Sequence, residues 1–527
     1  MSYIRLFALS FLLLFSAPAL AEPPADIGES VEALRQEIGA VGVAIAMVED
    51  GETTLARGWG VRKLGEPAPV DSETLFQTGS TGKAMTVAAL AILVDEGKIE
   101  WDDRVIEHMP WFRMYDPWVT REITIRDLLV HRSGLGLGQG DLLFVPRSSL
   151  SRRETVERVA FLEPKTSFRS AYAYDNILYA VAGQLIEEVT GQTWEVFMRD
   201  RVLRAGGMRN ATSDSAERFR TPNRSWPHAR LSGAVRGLGP QQVLDERDEL
   251  GRNAAPAGGL ALSAEDMATW LKIQLAHGAL PGGGRLFSEE QAREMWTPVT
   301  PMPITELPES LKPAQPTYQA YALGWQVQDY RGHRIIQHGG AVFGSITRVV
   351  MIPELDVGFA IMMNSEDSGM ILGLTYKLLD HYLGQPDYGW TTKWQDWFEA
   401  RLQRGKEYIE QAQASPVDVG PSLDLAGYAG RYRDPWYGDV VIGATPEGLT
   451  IDFTTTPDMA GRLEHWQYDS FVTVFDDPAI EPAYVTFALD ADGKVTGVTM
   501  KPVSVIADFS WDYQDLDLKP VPTEETE

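Results

Sequence analysis

The hydrophobic and polar positions follow two different patterns along the chain, and the change between them lies near residue 423. Before it, residues 41–49 are typical of a buried strand, and residues 53–58 are typical of a strand that returns after a short turn. Two more apolar runs, at 346–351 and 357–363, predict further antiparallel strands. Together these runs predict an antiparallel sheet.

Helical periodicity accompanies these strands. An apolar run at 84–94 predicts a buried helix, and residues 123–130 predict a short amphipathic helix. Ser263, with Asp266 three residues later, has the pattern of a helix N-cap. Two further long helices are predicted at 177–189 and 370–383. Strands and helices are therefore both expected in this part of the chain.

From residue 423 onward the pattern changes to short β-runs between turn residues, which is typical of a small antiparallel barrel or sandwich. A charged amphipathic helix at 394–413 precedes these runs, which lie at 428–432, 440–442, 449–453, 471–475, 483–489 and 495–501. The predicted organisation is a signal peptide, a first domain, a helical linker, a barrel domain and a polar tail, at 1–21, 22–392, 393–422, 423–519 and 520–527.

The N-terminus has the pattern of a secretory signal peptide. Arg5 precedes an apolar run at 6–15 that is too short to span a bilayer, and a small-residue cleavage site ends at Ala21. We expect cleavage after Ala21 and an exported protein, periplasmic or secreted, that begins at Glu22. An uncleaved membrane anchor is the alternative. After cleavage we expect no stable membrane insertion, because no later run is long and apolar enough.

Charge and composition exclude several functions. The chain has 47 basic and 74 acidic residues and a formal net charge of -27, which argues against nucleic acid as a partner. It has no cysteine, so disulfides, thiolate metal sites and cysteine nucleophiles are excluded. None of the eight histidines lies at the spacing of metal ligands on a helix, so we expect neither a metal site nor another cofactor.

One short motif carries candidate chemistry. Ser80 ends a turn-prone segment just before the helix at 84–94, and Lys83 follows three residues later, so that both side chains share one helical face. A serine needs an adjacent base to act as a nucleophile, and a lysine can serve if burial lowers its pKa. The alternative is an ordinary core helix whose first turn happens to carry both residues.

Other catalytic motifs are missing from the sequence, including the G-x-S-x-G elbow, the phosphate-binding loop and the H-E-x-x-H helix. A glycine-dense loop at 131–138 fits no nucleotide-binding register and is predicted to be a structural turn. A Ser-x-x-Lys site needs a polar residue that relays the proton and a strand edge that binds substrate. Tyr174-Asp175-Asn176 and His338-Gly339-Gly340 are the candidates, although taken singly each also fits a packed aromatic or a simple turn.

With these residues in place, the chain resembles the β-lactamase-related serine hydrolases, which include class C β-lactamases, D-stereospecific peptidases and family VIII carboxylesterases. The resemblance covers residues 41–383 and rests on the motifs TGSTGK at 78–83, LLVHRSGL at 128–135, YDNILY at 174–179, PAGGL at 256–260 and HGG at 338–340. The region after residue 423, with LEHWQYDSF at 463–471, looks like the lipocalin-like domain of some members. The resemblance implies an α+β transpeptidase fold of the β-lactamase and penicillin-binding-protein type, namely an antiparallel sheet flanked by helices with an all-α region, followed by a small antiparallel β-barrel.

The resemblance also implies roles for individual residues. Ser80 would attack an acyl carbon, and Lys83 and Tyr174 would share the proton transfers, with the formal base left open. Asn176 would orient Lys83 and bind the substrate amide. The backbone N–H groups of Ser80 and Ala341 would form the oxyanion hole, and the bare backbone of the two glycines before Ala341 would let substrate lie close.

One motif departs from the family pattern. Where β-lactamases and penicillin-binding proteins usually carry Lys-Thr-Gly, this chain has His338, Gly339 and Gly340, so the fixed positive charge and the threonine hydroxyl are lost. This favours an exported serine hydrolase that cleaves an ester, an amide or a peptide bond in a small-molecule or peptide substrate. The alternatives are a true β-lactamase or D-Ala-D-Ala carboxypeptidase and, from another class, a non-catalytic binding protein.

The barrel domain has three candidate roles. Its length and aromatic content indicate that it lines a ligand pocket, mediates assembly into a homo-oligomer or edges the active-site cleft. The sequence leaves these three roles open.

Overall fold

An eight-stranded antiparallel sheet forms the centre of the larger domain in the computed structural model, which describes residues 22–247, 250–413 and 417–522. The predicted signal peptide at 1–21 and the last five residues of the predicted tail lie outside the described residues. The order of the strands in this sheet is β2-β1-β12-β11-β10-β9-β8-β7. The strands of the chain are β1 Gly42–Glu49, β2 Glu52–Gly60, β3 Phe76–Gln77, β4 His228–Arg230, β5 Gln241–Val243, β6 Ala261–Leu262, β7 Thr300–Pro301, β8 Gln319–Tyr321, β9 Gln326–Tyr330, β10 His333–Val342, β11 Ser345–Ile352, β12 Val357–Met363, β13 Gly430–Asp434, β14 Gly438–Thr445, β15 Gly448–Phe453, β16 Ala460–Gln467, β17 Ser470–Phe475, β18 Ala483–Leu489, β19 Val495–Pro502 and β20 Lys519–Pro520.

Helices cover both faces of this sheet. The α-helices of the described residues are α1 Ile27–Ile38, α2 Lys83–Asp95, α3 Val105–His108, α4 Pro117–Glu122, α5 Arg152–Arg158, α6 Ile177–Thr190, α7 Trp194–Phe197, α8 Ser215–Arg220, α9 Ala264–Leu275, α10 Glu289–Met295, α11 Ser368–Tyr382 and α12 Trp390–Gln413. On one face of the sheet lies α9, and on the other lie α1 and α11. The predicted N-cap of α9 is confirmed, since Ser263 and Asp266 form a complete capping box.

The run that predicted strand β1 is apolar throughout because both of its faces are covered. Alternate side chains, Ala44 and Ala46, enter the core shared with α2 and α9, whereas Val43 and Ile45 enter a second core shared with α1 and α11. A strand that is buried on both faces reads as a continuous hydrophobic run. The predicted α+β architecture is therefore confirmed for this domain.

The prediction of a helix at 123–130 is wrong, since the structure has only a 3₁₀ turn at Asp127–Leu129 in this segment. The buried Asp127 carboxylate accepts hydrogen bonds from the backbone N–H and the hydroxyl of Thr124, at 3.0 and 2.8 Å. The same carboxylate also pairs with Arg132 and Arg169. Because Asp127 N–H also donates to the Thr124 hydroxyl, the two residues form a capping box that begins a helical turn. The turn ends at once, since Val130 leaves the helical conformation and His131 has a φ of 56°.

The C-terminal domain is an antiparallel sheet in the order β19-β18-β17-β16-β15-β14-β13-β20. A bridge between Val498 and Leu518 joins β19 to the residue before β20, and it nearly closes the sheet into the predicted barrel. Strand β16 was not among the predicted runs, because much of it is exposed and its pattern is weakly apolar. Pro520, predicted to begin a polar tail, instead pairs with Tyr432 of β13.

Aromatic side chains fill the barrel. The rings of Tyr428, Phe471 and Phe487 contact one another edge to face. Tyr437 and Tyr513 are also fully buried. A filled interior leaves little space for a ligand, so of the three candidate roles the structure does not favour a pocket inside the barrel.

The helix predicted to be a linker, α12, begins four residues earlier than expected and packs on α11. The contact is close because two glycines of α11 face it: a Cβ on Gly369 would lie 2.3 Å from the Gln395 side chain, and one on Gly373 would lie 2.6 Å from Thr391. No helix among the described residues is both long and apolar enough to cross a membrane.

We predict that Gly183→Ala destabilises the first domain, because a Cβ at Gly183 on α6 would lie 2.1 Å from the ring of Pro256. Overpacking of this kind costs about 1–3 kcal/mol, which is larger than the gain of up to about 1 kcal/mol in helix propensity. The apparent melting temperature should fall by several degrees. Gly282→Ala is the control, since nothing lies within 4 Å of its added Cβ; equal melting temperatures for the two variants would contradict the prediction.

Candidate active site

Ser80 lies in a 3₁₀ turn, Gly79–Gly82, that leads directly into α2. The sequence predicted a helix start here, and the structure adds that its first turn is tighter than an α-helix. The Lys83 amine donates a hydrogen bond to Ser80 Oγ at 2.9 Å. The spacing of three residues therefore places the two side chains in contact, as expected for one helical face.

Lys83 is fully buried and has three hydrogen-bond partners among the described residues. Its amine donates to Asn176 Oδ1 at 2.6 Å and to the carbonyl of Ala257 at 2.8 Å, in addition to Ser80. The carbonyl can only accept, and Asn176 presents its oxygen because its Nδ2 donates to Asp141 Oδ2. When the amine is neutral, its two protons satisfy these two oxygens and its lone pair is left for the Ser80 hydroxyl.

Burial also allows the neutral form of the Lys83 amine to be populated near neutral pH. Desolvation lowers the pKa of Lys83 to about 7, against the opposing attraction of the Asp141 and Asp175 carboxylates. Both acids are themselves buried, and desolvation raises the pKa of each to about 7. Lys83 is thus poised to gain or lose a proton near neutral pH.

Tyr174 covers the same site from the other side. The Lys83 ammonium lies 4.8 Å from the centroid of its ring. Its hydroxyl faces Ser80, which lowers its pKa, but burial raises that pKa well above the ordinary value of 10. The contact with Ser80 lacks hydrogen-bond geometry, so the buried hydroxyl has no hydrogen-bond partner among the described residues. It is a neutral phenol aimed at the nucleophile.

The loop predicted to be a structural turn supports Tyr174 and Asp175. The ring centroid of His131 lies 4.2 Å from that of Tyr174, and its Nδ1 accepts the backbone N–H of Asp175 at 3.1 Å. Ser133 donates to the Asp175 carboxylate at 2.9 Å. Desolvation and the nearby Lys83 hold the pKa of His131 well below 6.5, so this ring is neutral.

Strand β10 runs through the predicted His-Gly-Gly motif rather than ending there, and its backbone packs on the Ser80 turn. A Cβ on Gly340 would lie 2.1 Å from the carbonyl oxygen of Thr78 and 3.0 Å from the amide nitrogen of Ser80. A Cβ on Gly79 would lie 2.7 Å from the amide nitrogen of Ala341. Glycine is required at both positions so that the amides of Ser80 and Ala341 come close together.

His338 is buried beside this strand edge and carries no charge. Its Nδ1 lies 2.6 Å from the carbonyl oxygen of Gly339, which can only accept, so Nδ1 holds the proton. Its Nε2 then accepts from the Tyr321 hydroxyl at 2.8 Å. Burial lowers the pKa of His338 to about 3. The charge left open by the sequence is therefore absent at neutral pH.

Sequence reasoning missed two members of the site, Asp141 and Ser510. Ser510, from the C-terminal domain, donates to Asp141 Oδ2 at 2.8 Å, the same oxygen that accepts from Asn176. A separation of 369 residues leaves no local signal that could pair them.

The cleft in front of Ser80 has a volume of about 1200 Å³. Both domains and α12 line it, through Ser80, Asn176, Phe343, Phe398, Phe509 and Trp511. Of the three roles considered for the barrel domain, the structure favours the edge of the active-site cleft. Among the described residues no group of three or more His, Asp or Glu side chains is placed to hold a metal ion.

Comparison with known proteins gives the chain's relationships. A family model described as Beta-lactamase matches residues 28–382, and one described as Domain of unknown function (DUF3471) matches residues 414–520. Unguisins hydrolase ungD from Aspergillus violaceofuscus (strain CBS 115571) is 28% identical over 503 residues, which are 88% of this chain and 85% of that protein. Penicillin-binding protein 4 of Amycolatopsis lactamdurans is 27% identical over 76% of this chain and 95% of its own length.

Among solved structures, the octameric penicillin-binding protein homologue from Pyrococcus abyssi is similar to this chain. The TM-score is 0.55 at 20% sequence identity, over 90% of this chain and 98% of the other. At this identity the likeness shows the fold alone. It extends over both domains.

We predict that Lys83 titrates at about pH 7, whereas an ordinary lysine titrates at about pH 10.4. The ¹³Cε resonances of lysine-labelled protein, followed between about pH 5 and about pH 11, would measure this, with Lys83→Met identifying the signal. Asp141→Asn should lower the pKa of Lys83 further, because it removes a buried carboxylate that favours the charged amine. A Lys83 resonance that moves only in the ordinary alkaline range would contradict the prediction.

Proposed function

We propose, since the chain belongs to the β-lactamase family of serine hydrolases, that it works through an acyl-enzyme on Ser80. The observation that carries this proposal is the set of three contacts made by the buried Lys83 amine, two to oxygens that only accept and one to Ser80 Oγ. This set directs the lone pair of the neutral amine at the nucleophile. Ser80, Lys83 and Tyr174 are the catalytic residues in this proposal.

In acylation, the neutral Lys83 amine takes the proton of Ser80 as Oγ bonds to the acyl carbon. The N–H groups of Ser80 and Ala341 stabilise the resulting oxyanion. When the tetrahedral intermediate collapses, the bond to the leaving group breaks and the leaving group takes a proton through the Tyr174 hydroxyl. A water then attacks the ester, releases the acid and restores Ser80.

Lys83 is the better candidate for the base because Tyr174 is neutral. Burial raises the pKa of Tyr174 well above 10, so a tyrosinate is scarce at neutral pH. The pKa of Lys83 is about 7, and an efficient general base has a pKa near the working pH. Tyr174 then acts as a relay that never carries a full negative charge.

The neutral His338 indicates whether the substrate needs a free carboxylate. A neutral histidine offers no fixed cation to a substrate carboxylate, which β-lactams and D-Ala-D-Ala peptides both carry. Two of the three arginines that line the cleft do not replace that cation, because Arg230 is paired with Asp367 and Arg236 with Glu366. The third, Arg401, belongs to α12 and not to the strand that carries His338. We therefore favour an ester, amide or peptide bond in a substrate that needs no free carboxylate next to the scissile bond. The relative named a hydrolase of unguisins supports hydrolysis. The relative named a penicillin-binding protein supports the alternative, a β-lactamase or D-Ala-D-Ala carboxypeptidase.

We also propose export and self-assembly. The N-terminal signal pattern supports export, and a mature N-terminus at Glu22 in the secreted protein would agree with it, whereas retention of residues 1–21 would not. The likeness to an octameric homologue over both domains supports a homo-oligomer. Light scattering that finds a monomer would reject self-assembly.

We expect a fluorophosphonate probe to add once to the protein, at Ser80, and Ser80→Ala to stay unlabelled in intact-mass spectra. Lys83→Met should lower kcat/KM by about 10²–10⁴-fold, because it removes the general base. Lys377→Met is the control, since among the residues that the structure describes its amine hydrogen-bonds only to Ser30, on α1. Labelling of Ser80→Ala at the wild-type rate would reject the mechanism, and so would a Lys83→Met enzyme as active as the control.

A substrate panel separates the candidate activities. Short acyl esters, D- and L-amino-acid amides, and peptides with free or amidated C-termini should be compared with nitrocefin on one preparation. We expect amidated peptides to react at least as well as the free acids and nitrocefin to turn over slowly, because His338, at the position of the usual lysine, carries no charge to bind a carboxylate. Fast nitrocefin turnover would instead identify a true β-lactamase, and a strict need for the free carboxylate would identify a carboxypeptidase.

A further inference from the structure

The C-terminal domain sends one irregular segment, residues 504–512, into the wall of the active-site cleft. We propose that Ser510 in this cleft segment is a positioning residue for Lys83, and that it acts through Asp141 and Asn176. The proposal rests on the function proposed above, because it concerns the same amine. It makes the C-terminal domain part of the catalytic machinery rather than an attached module.

The connection is a continuous chain of hydrogen bonds. Ser510 Oγ donates to Asp141 Oδ2 at 2.8 Å, and Asn176 Nδ2 donates to that same oxygen at 2.8 Å. Asn176 Oδ1 accepts from the Lys83 amine at 2.6 Å. Asp141 therefore fixes which end of the Asn176 amide faces Lys83. Ser510 in turn holds the carboxylate in the orientation that does so.

The cleft segment is anchored on both sides of Asp141. The carboxylate of Asp512 accepts the backbone N–H groups of Gly140 and Leu142, at 2.6 and 2.9 Å. On the other side, Phe509 packs its ring 5.8 Å from that of Tyr174. Docking is thus accounted for by Asp512 and Phe509. The Ser510 hydroxyl is not needed for docking; it instead contacts the Asp141 carboxylate, which is connected to Lys83 through Asn176.

The charge of Asp141 depends on this contact. Its Oδ1 is buried without a hydrogen-bond partner, so Oδ2 carries the interactions that favour the ionised form. Desolvation raises the pKa of Asp141, whereas the two donors, Asn176 and Ser510, and then Lys83 lower it; the nearby Asp508 adds a smaller rise. Desolvation and the nearby Asp141 raise the pKa of Asp512 well above its ordinary value. Loss of the Ser510 hydroxyl should therefore raise the pKa of Asp141.

The effect then passes to Lys83. Asp141 and Asp175 are the carboxylates that favour its charged form, the rings of Tyr174 and Tyr179 lie 4.8 and 5.0 Å from it, and the nearby His131 and His338 are neutral. If Asp141 is protonated more readily, the pKa of Lys83 falls. Because the base must be neutral to act, the acidic limb of the kcat/KM profile should move to lower pH. A purely structural serine would not produce this shift.

The experiment uses the full-length protein and four variants, Ser510→Ala, Ser510→Thr, Asp141→Asn and the Ser510→Ala/Asp141→Asn double variant. Ser422→Ala is the matched control, because Ser422 also donates to a carboxylate of the C-terminal domain, Asp469 at 2.9 Å, but on the exposed surface. For each protein the Lys83 ¹³Cε titration and the pH profile of kcat/KM are measured, and the melting temperature reports on folding.

We expect Ser510→Ala to lower the pKa of Lys83 and to reduce the plateau of kcat by about tenfold, the scale of one hydrogen bond to a charged group. Asp141→Asn should shift Lys83 further, the double variant should match Asp141→Asn alone, and Ser510→Thr should restore most of both properties. The control should match the wild type. The melting temperatures of Ser510→Ala and the control should lie close together.

Two outcomes would overturn the proposal: a Lys83 titration in Ser510→Ala that overlays the wild type, or a double variant whose shift is the sum of the two single shifts. The Lys83 titration does not depend on turnover. A wild-type protein that fails to label at Ser80 would therefore reject the proposed function, while the titrations would still decide whether Ser510 controls the amine.

Discussion

The burial of the Lys83 amine is the constraint on which the rest of the site depends. An isolated ammonium removed from water is strongly disfavoured, and the usual response is a lowered pKa rather than a buried charge. Complete burial of Lys83 brings its pKa to about 7. The protein surrounds the amine with a carbonyl, an amide and a hydroxyl, so that the neutral form is satisfied. A surface lysine at the same spacing from Ser80 would remain an ammonium and could not take the proton.

This constraint explains why the acids near Lys83 are buried at a distance rather than paired with it directly. A direct ion pair would hold the amine charged, because an adjacent opposite charge favours the ionised form. Asp141 instead reaches Lys83 through the Asn176 amide, and Asp175 bonds to Ser133. Each carboxylate offsets part of the desolvation of the amine, and its own pKa is raised to about 7. The result is an amine that is close to balance between its two forms.

The same requirement joins the two domains. Several segments far apart in the chain must close over Lys83 to exclude water: the Ser80 turn, the loop around His131, the strand β10 and residues 504–512 of the C-terminal domain. Phe509 packs on Tyr174, and Asp512 binds the backbone beside Asp141. The barrel itself is filled by its own aromatic side chains, and the C-terminal domain lines the cleft through this segment and Glu481. The C-terminal domain, whose own interior is filled, therefore forms part of the wall of the active-site cleft.

The sequence by itself determined what depends on local spacing. The buried strands and the long helices followed from their apolar runs, and the contact between Ser80 and Lys83 followed from three residues of helical spacing. The helix expected at 123–130 is a single 3₁₀ turn, because His131 takes a φ of 56° in the loop that packs against Tyr174 and Asp175, more than 40 positions away. Only the tertiary structure decided the protonation of the site. His338 is neutral because burial and Tyr321 make it so, and Asp141 meets Ser510 only when the two domains pack together. A pKa depends on desolvation and on neighbours that are distant in sequence. The sequence therefore identified the residues of the site but could not determine their charges.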